Sequence, residues 1–114
     1  SVAEAFEIKA SRIELSILAD NVISNAGKAM AKRLDVTIKL VGKNHLEIQF
    51  LDDGRGISPQ VTNIEDIFEM GVTTTSGSGL GLYHARKIAE SIDGKLSAKP
   101  GVPRGLMIQL ELTR

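Results

Sequence analysis

The chain has 114 residues, with 14 basic and 14 acidic side chains and a formal net charge of zero at neutral pH. This length is typical of one domain with a real hydrophobic core, and the balanced charge gives no overall attraction to nucleic acid. The absence of cysteine excludes disulfides, thiolate metal sites and a cysteine nucleophile. No apolar run approaches the roughly 20 residues of a membrane span. Because the first residue is Ser1 and not Met, we expect a piece of a longer protein.

The N-terminal third of the chain predicts a short strand and a long helix. Phe6–Lys9 has the pattern of a strand, and Ser11 with Glu14 has the spacing of a capping box that starts a helix running to about Arg33. The predicted apolar stripe of this helix consists of Ile13, Ile17, Leu18, Val22, Ala26, Ala29 and Met30.

An antiparallel hairpin is predicted next. Val36–Leu40 and Leu46–Phe50 both alternate apolar and polar residues, and Gly42–His45 provides the turn between them. Asp52 lies at the end of the second strand of this hairpin.

The second half of the chain predicts one helical turn, one helix and two strands. A turn of helix is expected around Glu65–Glu69, and a full helix over Leu82–Ile92 with Gly94 as its C-terminal cap. Lys95–Ala98 and Leu106–Leu112 predict the last two strands. Helices and strands are interleaved, yet most links between strands have hairpin length. We therefore predict an α+β fold in one domain over residues 1–114: a two-layer α/β sandwich whose mixed, mostly antiparallel sheet carries its helices on one face.

Two glycine clusters, residues 52–56 and 77–82, are the strongest functional signal. Asp52 precedes Gly54 and Gly56, so a carboxylate stands beside a backbone that a flat ligand can approach closely. The second cluster opens a helix, where free backbone N–H groups and the helix dipole attract phosphate. Together they predict a nucleotide site. The alternatives are a simple turn at the first cluster and a flexible linker at the second.

Polar residues on the first helix offer a complement to these clusters. Asn21, Asn25 and Lys28 share one helix face, as expected for an amide that holds hydrated Mg²⁺ and an ammonium that meets a phosphate. The alternative is a solvated helix flank. Gly27 either clears space for a ligand or permits tight helix packing.

Three other side chains receive simpler interpretations. Phe68 is expected to anchor its loop in the core, and His84 to lie on a helix surface. Nothing in the sequence brings His45 and His84 together as a metal pair or catalytic dyad.

The order and spacing of four motifs resemble the ATP-binding fold shared by sensor histidine kinases, Hsp90 chaperones, MutL and DNA gyrase, the GHKL ATPases with the Bergerat fold. Residues 14–29 resemble the N box of that family, 52–57 the G1 box, 67–74 the F box and 77–82 the G2 box. The resemblance covers the chain from about residue 10 to its C-terminus.

This resemblance implies ATP and Mg²⁺ as cofactors and gives each matching residue a role. Asn25 would contact Mg²⁺ with the help of Asn21, Lys28 would approach the phosphates, and Asp52 would bind the adenine amine. The remaining implied contacts are Gly54 and Gly56 at the adenine, Thr74 ahead of the lid, and Gly77, Gly79, Leu80, Gly81 and Leu82 at the lid end and the phosphate-facing helix.

One position separates the branches of the superfamily. Hydrolytic members carry a glutamate four residues before the Mg²⁺ asparagine, but this chain has Asn21 there, and a neutral amide is no general base. The resemblance therefore implies a protein-histidine kinase whose γ-phosphate goes to a separate histidine-bearing dimerisation domain of the same parent chain, and onward to a response regulator. We expect a cytoplasmic domain with no direct contact with membrane or nucleic acid. Its parent protein is either membrane-anchored or not, and the sequence leaves both alternatives open. Alternatives are a serine-type protein kinase of the same fold and a nucleotide-sensing or docking module without transfer activity.

Overall fold

The computed structural model describes residues 12–57, 61–69 and 81–113. The predicted strand Phe6–Lys9 and the capping residue Ser11 lie outside the described residues, as do Thr74, Gly77, Gly79 and Leu80. The elements in chain order are α1 (Arg12–Lys28), β1 (Leu34–Val41), β2 (His45–Asp52), a 3₁₀ helix (Ile64–Phe68), α2 (Gly81–Ser91), β3 (Lys95–Pro100) and β4 (Leu106–Thr113).

The four strands form one sheet in the order β1-β2-β4-β3, with all three pairings antiparallel. Alternate residues of β2 and β4 point to the helices, and their buried apolar side chains form one core with α1 and α2. The opposite face carries polar residues such as Gln49 and Gln109. The predicted α+β architecture with helices on one face is confirmed.

Helix α1 ends at Lys28, five residues before the predicted end near Arg33, so that boundary was wrong. Met30 adopts a left-handed backbone conformation with φ of 63°. The N–H of Ala31 donates to the carbonyl of Ala26 at 3.1 Å, and the N–H of Met30 to that of Gly27 at 3.0 Å. These two bonds form a Schellman motif that stops the helix. A methionine at this position gives no sequence signal, because glycine is the usual residue there.

The apolar stripe of α1 is narrower than predicted. Leu18, Val22, Ala26 and Ala29 are buried, whereas the predicted members Ile13, Ile17 and Met30 are 71%, 46% and 72% exposed. At about 100° per residue, Ile17 lies roughly 140° around the helix from the centre of the buried stripe. Asn21 and Asn25 consequently lie on the shoulder between core and solvent, and both are half-buried.

Helix α2 ends in the same motif. Asp93 takes the left-handed conformation with φ of 58°, and Gly94 donates its N–H to the carbonyl of Ala89 at 2.8 Å. Gly94 therefore takes part in the cap, as predicted, but the left-handed residue is Asp93. A Cβ at Gly94 would lie 2.8 Å from Leu112 Cδ2, so this position also permits the close approach of α2 and β4.

Neither α1 nor α2 has the length and apolar character that crossing a lipid bilayer requires.

Candidate nucleotide-binding site

Asp52 is the one buried polar or charged residue within the described ranges, with 5% of its surface exposed. It is the last residue of β2, and its Oδ1 accepts hydrogen bonds from the N–H of Gly54 at 2.8 Å and from the N–H of Leu106 at 3.3 Å. Both bonds go to the same oxygen. Oδ2, for which the described residues provide no hydrogen bond, is therefore the atom available to a ligand.

The backbone packs closely around this carboxylate. A Cβ at Gly54 would lie 2.7 Å from the carbonyl oxygen of Ala29, and a Cβ at Gly105 would overlap the carbonyl oxygen of Asp52. Gly105 and Gly56 also have φ of +86° and +78°, the left-handed region that favours glycine. Only glycine lets the two loops enclose Asp52 in this way.

The G1-type loop is fastened to the C-terminal end of α1. Arg55 donates its backbone N–H to the carbonyl of Ala29 at 2.9 Å and its Nη2 to the carbonyl of Lys28 at 3.0 Å. On the other side, Arg104 Nε donates to the carbonyl of Gly54 at 3.2 Å. The loop that follows Asp52 is thus held between α1 and the loop before β4.

Asp53 adds a second fastening. Its Oδ1 accepts hydrogen bonds from the N–H groups of Lys32 and Arg33, at 2.8 and 2.9 Å. The bond from Arg33, followed by that from Lys32, holds the pKa of the Asp53 carboxyl below its usual range. The lowered pKa means that the folded state prefers the charged carboxylate.

The lowered pKa of Asp53 predicts a pH-dependent difference from an Asp53→Asn variant. A carboxyl whose pKa is lower in the folded state stabilises the fold above its unfolded pKa, and this stabilisation is lost as the pH falls through the folded pKa. We expect wild type to be more stable than Asp53→Asn near neutral pH and the difference to shrink below about pH 4. Urea unfolding at several pH values measures it. A constant difference at every pH would contradict the assignment.

Helix α1 connects the Asp52 loop to the start of α2. Ala29 contacts Gly54 at one end, while Asn21 Oδ1 lies 3.8 Å from where a Cβ of Gly81 would stand. At about 1.5 Å rise per residue these two contacts are separated by roughly 12 Å along the helix. The half-buried Asn25 and the exposed Lys28 lie between them on the same side. One side of α1 therefore approaches both the Asp52 loop and Gly81, the first described residue of the second glycine cluster.

Helix α2 begins at Gly81, the last glycine of the second cluster. The Leu82 side chain is buried in the core, with 6% exposed, so its contact with a ligand would come from its backbone. Free N–H groups at a helix start attract phosphate. Thr74, Gly77, Gly79 and Leu80 belong to the segment before this helix and lie outside the described residues, so their roles stay predictions.

Phe68 is confirmed as a loop anchor. Its ring is 1% exposed, and the guanidinium of Arg86 lies 4.8 Å from the ring centroid. Arg86 Nη2 also lies 3.5 Å from Glu65 Oε1, which ties the 3₁₀ helix to α2. His84 is exposed on α2, as predicted.

Gly27 does not serve tight packing among the described residues, because none of them lies within 4 Å of a Cβ built there and the residue is exposed. Replacing it with alanine is expected to stabilise the protein by about 0.5–1 kcal/mol, since alanine is the better helix former. Gly27 also points away from the Asn25 side of α1, so we expect an unchanged ATP affinity. Urea unfolding measures the stability, and calorimetric titration measures the ATP affinity. A clear loss of ATP affinity would support the alternative that Gly27 clears space for a ligand.

Sequence reasoning missed three contributors to this site. Leu106 acts through its backbone N–H, which carries no residue signature. Asp53 bonds to Lys32 and Arg33, which lie 21 and 20 residues earlier in a segment predicted to be helical. Gly105 directly precedes the strand predicted over Leu106–Leu112, and a glycine before a strand was the available signal for its close approach to Asp52.

The chain matches the sequence model of the histidine kinase-, DNA gyrase B- and HSP90-like ATPases over residues 10–114. This match covers all four motifs and every element of the fold. The chain therefore belongs to this ATPase family.

Individual relatives are sensor kinases. The chain is 33% identical over 110 residues to the histidine protein kinase SaeS of Staphylococcus epidermidis, covering 88% of this chain and 30% of the relative. It is 33% identical over 104 residues to the sensor protein kinase CarS of Pseudomonas aeruginosa, covering 89% of this chain and 23% of the relative. The chain thus spans about a third or less of the length of these curated relatives.

A solved structure agrees with the fold. The mycobacterial sensor histidine kinase MprB superimposes with a TM-score of 0.79 at 27% identity, covering 91% of this chain and 72% of the other. The fold of the described residues is therefore similar to that of this sensor histidine kinase.

Proposed function

We propose that this chain binds ATP with Mg²⁺ and serves as the catalytic domain of a two-component sensor histidine kinase, placing the γ-phosphate for transfer to a histidine of a separate dimerisation domain. The observation that supports the proposal most strongly is the presence of asparagine, and not glutamate, at position 21. It occupies the shoulder of α1 beside the start of α2, where hydrolytic members of the family carry a glutamate base. An amide positions phosphate and metal without activating water.

The described residues fit a nucleotide. Asp52 offers Oδ2 to an exocyclic amine, which favours adenine, and its Oδ1 is already engaged by Gly54 and Leu106. Gly54 and Gly56 bring no side chain of their own beside Asp52, which lets a ligand approach the backbone closely. We assign these three residues to the base.

The phosphate side is assigned to α1 and the start of α2. Asn25, assisted by Asn21, is placed to hold Mg²⁺, which prefers oxygen ligands and keeps most of its waters on a nucleotide. Mg²⁺, when bound, neutralises phosphate charge. Lys28 follows one turn later with its ammonium in solvent, where it can meet a phosphate. Transfer of this kind depends on positioning and electrostatics and needs no catalytic base in this chain.

The partners follow from this function. A histidine-bearing dimerisation domain of the same parent protein would accept the phosphoryl group, and a response regulator would receive it next. The relatives support this, because they are named as sensor and histidine kinases and are three or more times longer than the matched segment. Since ATP is the donor, we place the domain on the cytoplasmic side, whether or not the parent is membrane-anchored.

The test has two stages. Calorimetric titration with ATP, with and without Mg²⁺, is expected to show Mg²⁺-dependent binding. The chain is then mixed with the parent's dimerisation domain and γ-labelled ATP, and acid-labile phosphate on that domain is expected. Little transfer is expected without it.

Each other outcome selects an alternative. Acid-stable phosphate on a serine would identify a serine-type kinase, and ATP binding without transfer would identify a nucleotide-sensing module. Rapid phosphate release without an acceptor would contradict the interpretation of Asn21. Absence of Mg²⁺-dependent ATP binding would remove all three functions.

A further inference from the structure

A cluster of metal-ligating side chains lies on the polar face of the sheet, opposite the helices. His45 and Glu47 stand two residues apart on β2, so both side chains point to the same face. Glu111 on β4 pairs directly with Glu47. One ligand atom from each of the three residues lies within 4.8 Å of the others, and all three side chains are half-buried.

The imidazole of His45 is oriented for ligation. Its Nδ1 lies 3.3 Å from Thr113 Oγ1, and its Nε2 faces Glu47 Oε1 at 3.7 Å. When Nδ1–H donates to the threonine hydroxyl, Nε2 presents its lone pair to a carboxylate. In that tautomer both atoms offer lone pairs, and a cation placed between them would be bound by both. A hydrogen bond that fixes the ring through its other nitrogen is typical of ligating histidines.

Glu111 is held by a chain of amides. Gln109 Nε2 donates to Glu111 Oε1 at 2.7 Å, and Gln49 Nε2 donates to Gln109 Oε1 at 3.0 Å. These bonds order Glu111, one of whose carboxylate oxygens lies within 4.8 Å of a ligand atom of Glu47 and of His45. Supporting hydrogen bonds to a carboxylate ligand are a regular part of metal sites.

The charges at this place are incompletely balanced. Glu47 and Glu111 are opposed in register, and like charges directly opposite each other destabilise a sheet. Lys39 and Lys95 flank them on the outer strands. Both lysines are exposed, and none of the ion pairs within 4.0 Å in the described part of the chain joins either one to these carboxylates. A bound cation would remove the repulsion.

We propose that His45, Glu47 and Glu111 form a zinc site on the outer face of the sheet. Zinc binds imidazole nitrogen and carboxylate oxygen at about 2.0–2.2 Å, so two ligands of a tetrahedral ion lie roughly 3.4 Å apart. The 3.7 Å separation of His45 Nε2 and Glu47 Oε1 is close to that value. The imidazole donor favours zinc over Mg²⁺ and Ca²⁺, which prefer oxygen ligands alone. A water would complete the coordination.

The site joins the two central strands far from the nucleotide. His45 begins β2 and Asp52 ends it, which at about 3.3 Å per residue separates them by roughly 23 Å. Zinc would clamp β2 to β4 and stabilise the sheet. Its binding is independent of ATP, so success or failure of the proposed kinase function leaves this inference untouched.

The test is a calorimetric titration of the untagged 114-residue chain with zinc chloride in the absence of nucleotide. We expect saturable binding of one ion and a rise in Tm of several degrees at saturating zinc. Mg²⁺ at the same concentration should produce no rise.

Matched variants locate the site. His45→Gln and Glu111→Gln should each weaken zinc binding by at least about tenfold, whereas His84→Gln and Glu90→Gln, on the exposed surface of α2, should not. Glu111→Gln also removes the repulsion from Glu47, so its zinc-free Tm should equal or exceed that of wild type. The proposal would be overturned if His45→Gln left zinc binding unchanged or if His84→Gln weakened it equally. The absence of any zinc binding would overturn it as well.

Discussion

Replacing Asp52 with asparagine is expected to weaken ATP binding by about 10- to 100-fold while the fold is kept. The asparagine oxygen can still accept the N–H groups of Gly54 and Leu106, now bonded to Oδ1. The amide nitrogen then occupies the place of Oδ2 and presents a donor to the donor amine of adenine. Loss of a hydrogen bond to a charged group costs about 1.5–3 kcal/mol, which corresponds to this range of affinity.

Calorimetric titration with ATP and Mg²⁺ measures the effect, and two further variants control it. Asp52→Ala leaves two N–H groups without their acceptor and should lower the free energy of unfolding by about 1–3 kcal/mol as well. Asp35→Asn removes an exposed carboxylate that pairs with Arg33 at 3.0 Å, and it should change neither quantity much. Equal ATP affinity of wild type and Asp52→Asn would remove the adenine assignment.

Replacing Gly105 with alanine is expected to give the largest loss of stability, about 3 kcal/mol or more. The new Cβ would overlap the Asp52 carbonyl oxygen and lie 2.9 Å from Asp52 Oδ1, and the residue has φ of +86°. Overpacking against backbone typically costs about 1–3 kcal/mol, and left-handed backbone adds about 1–2 kcal/mol for a residue with a Cβ. ATP binding should weaken as well, because Asp52 must move.

Gly42→Ala is the matched control for this substitution. Gly42 has φ of +67°, but no atom of the described ranges lies within 4 Å of a Cβ built there. Its replacement should therefore cost only the backbone strain of about 1–2 kcal/mol. Urea unfolding of both variants separates strain from overlap. If the two lost the same free energy of unfolding, the close packing of Gly105 on Asp52 would not be the cause.

Periodic patterns predicted most of the fold. The hairpin, the helix α2 and the last two strands follow from alternation and helical spacing, although the alternating apolar residues of β1 are exposed in the described structure. The end of α1 was not predictable in this way, because Met30 replaces the glycine that normally marks such a stop. The predicted width of the apolar stripe on α1 was wrong. Isoleucines at 13 and 17 fit the apolar pattern, but no partner covers them in the described structure.

The residues of the candidate sites also fall into those that the sequence predicted and those that it did not. Side chains with a characteristic spacing, such as Asp52 with its glycines and Asn21 with Asn25, were found from sequence. Contacts made by backbone or across long separations were not. Asp53 bonds to residues 20 and 21 positions earlier, and His45 meets Glu111, which lies 66 residues later in the chain. The pairing of β1 with β2 brings Asp53 to its partners, and the pairing of β2 with β4 brings His45 to Glu111.

The bond from the Leu106 N–H to Asp52 Oδ1 has a consequence for how the sheet is specified. A slip of β4 by one residue against β2 would turn every core side chain of β4 to the polar face. It would also take the Leu106 N–H away from Asp52 and leave Gly54 as the one described donor to Oδ1. The alignment of the two central strands and the proposed choice of base are therefore linked, because a chain that pairs these strands wrongly loses part of the support that orients the carboxylate towards adenine.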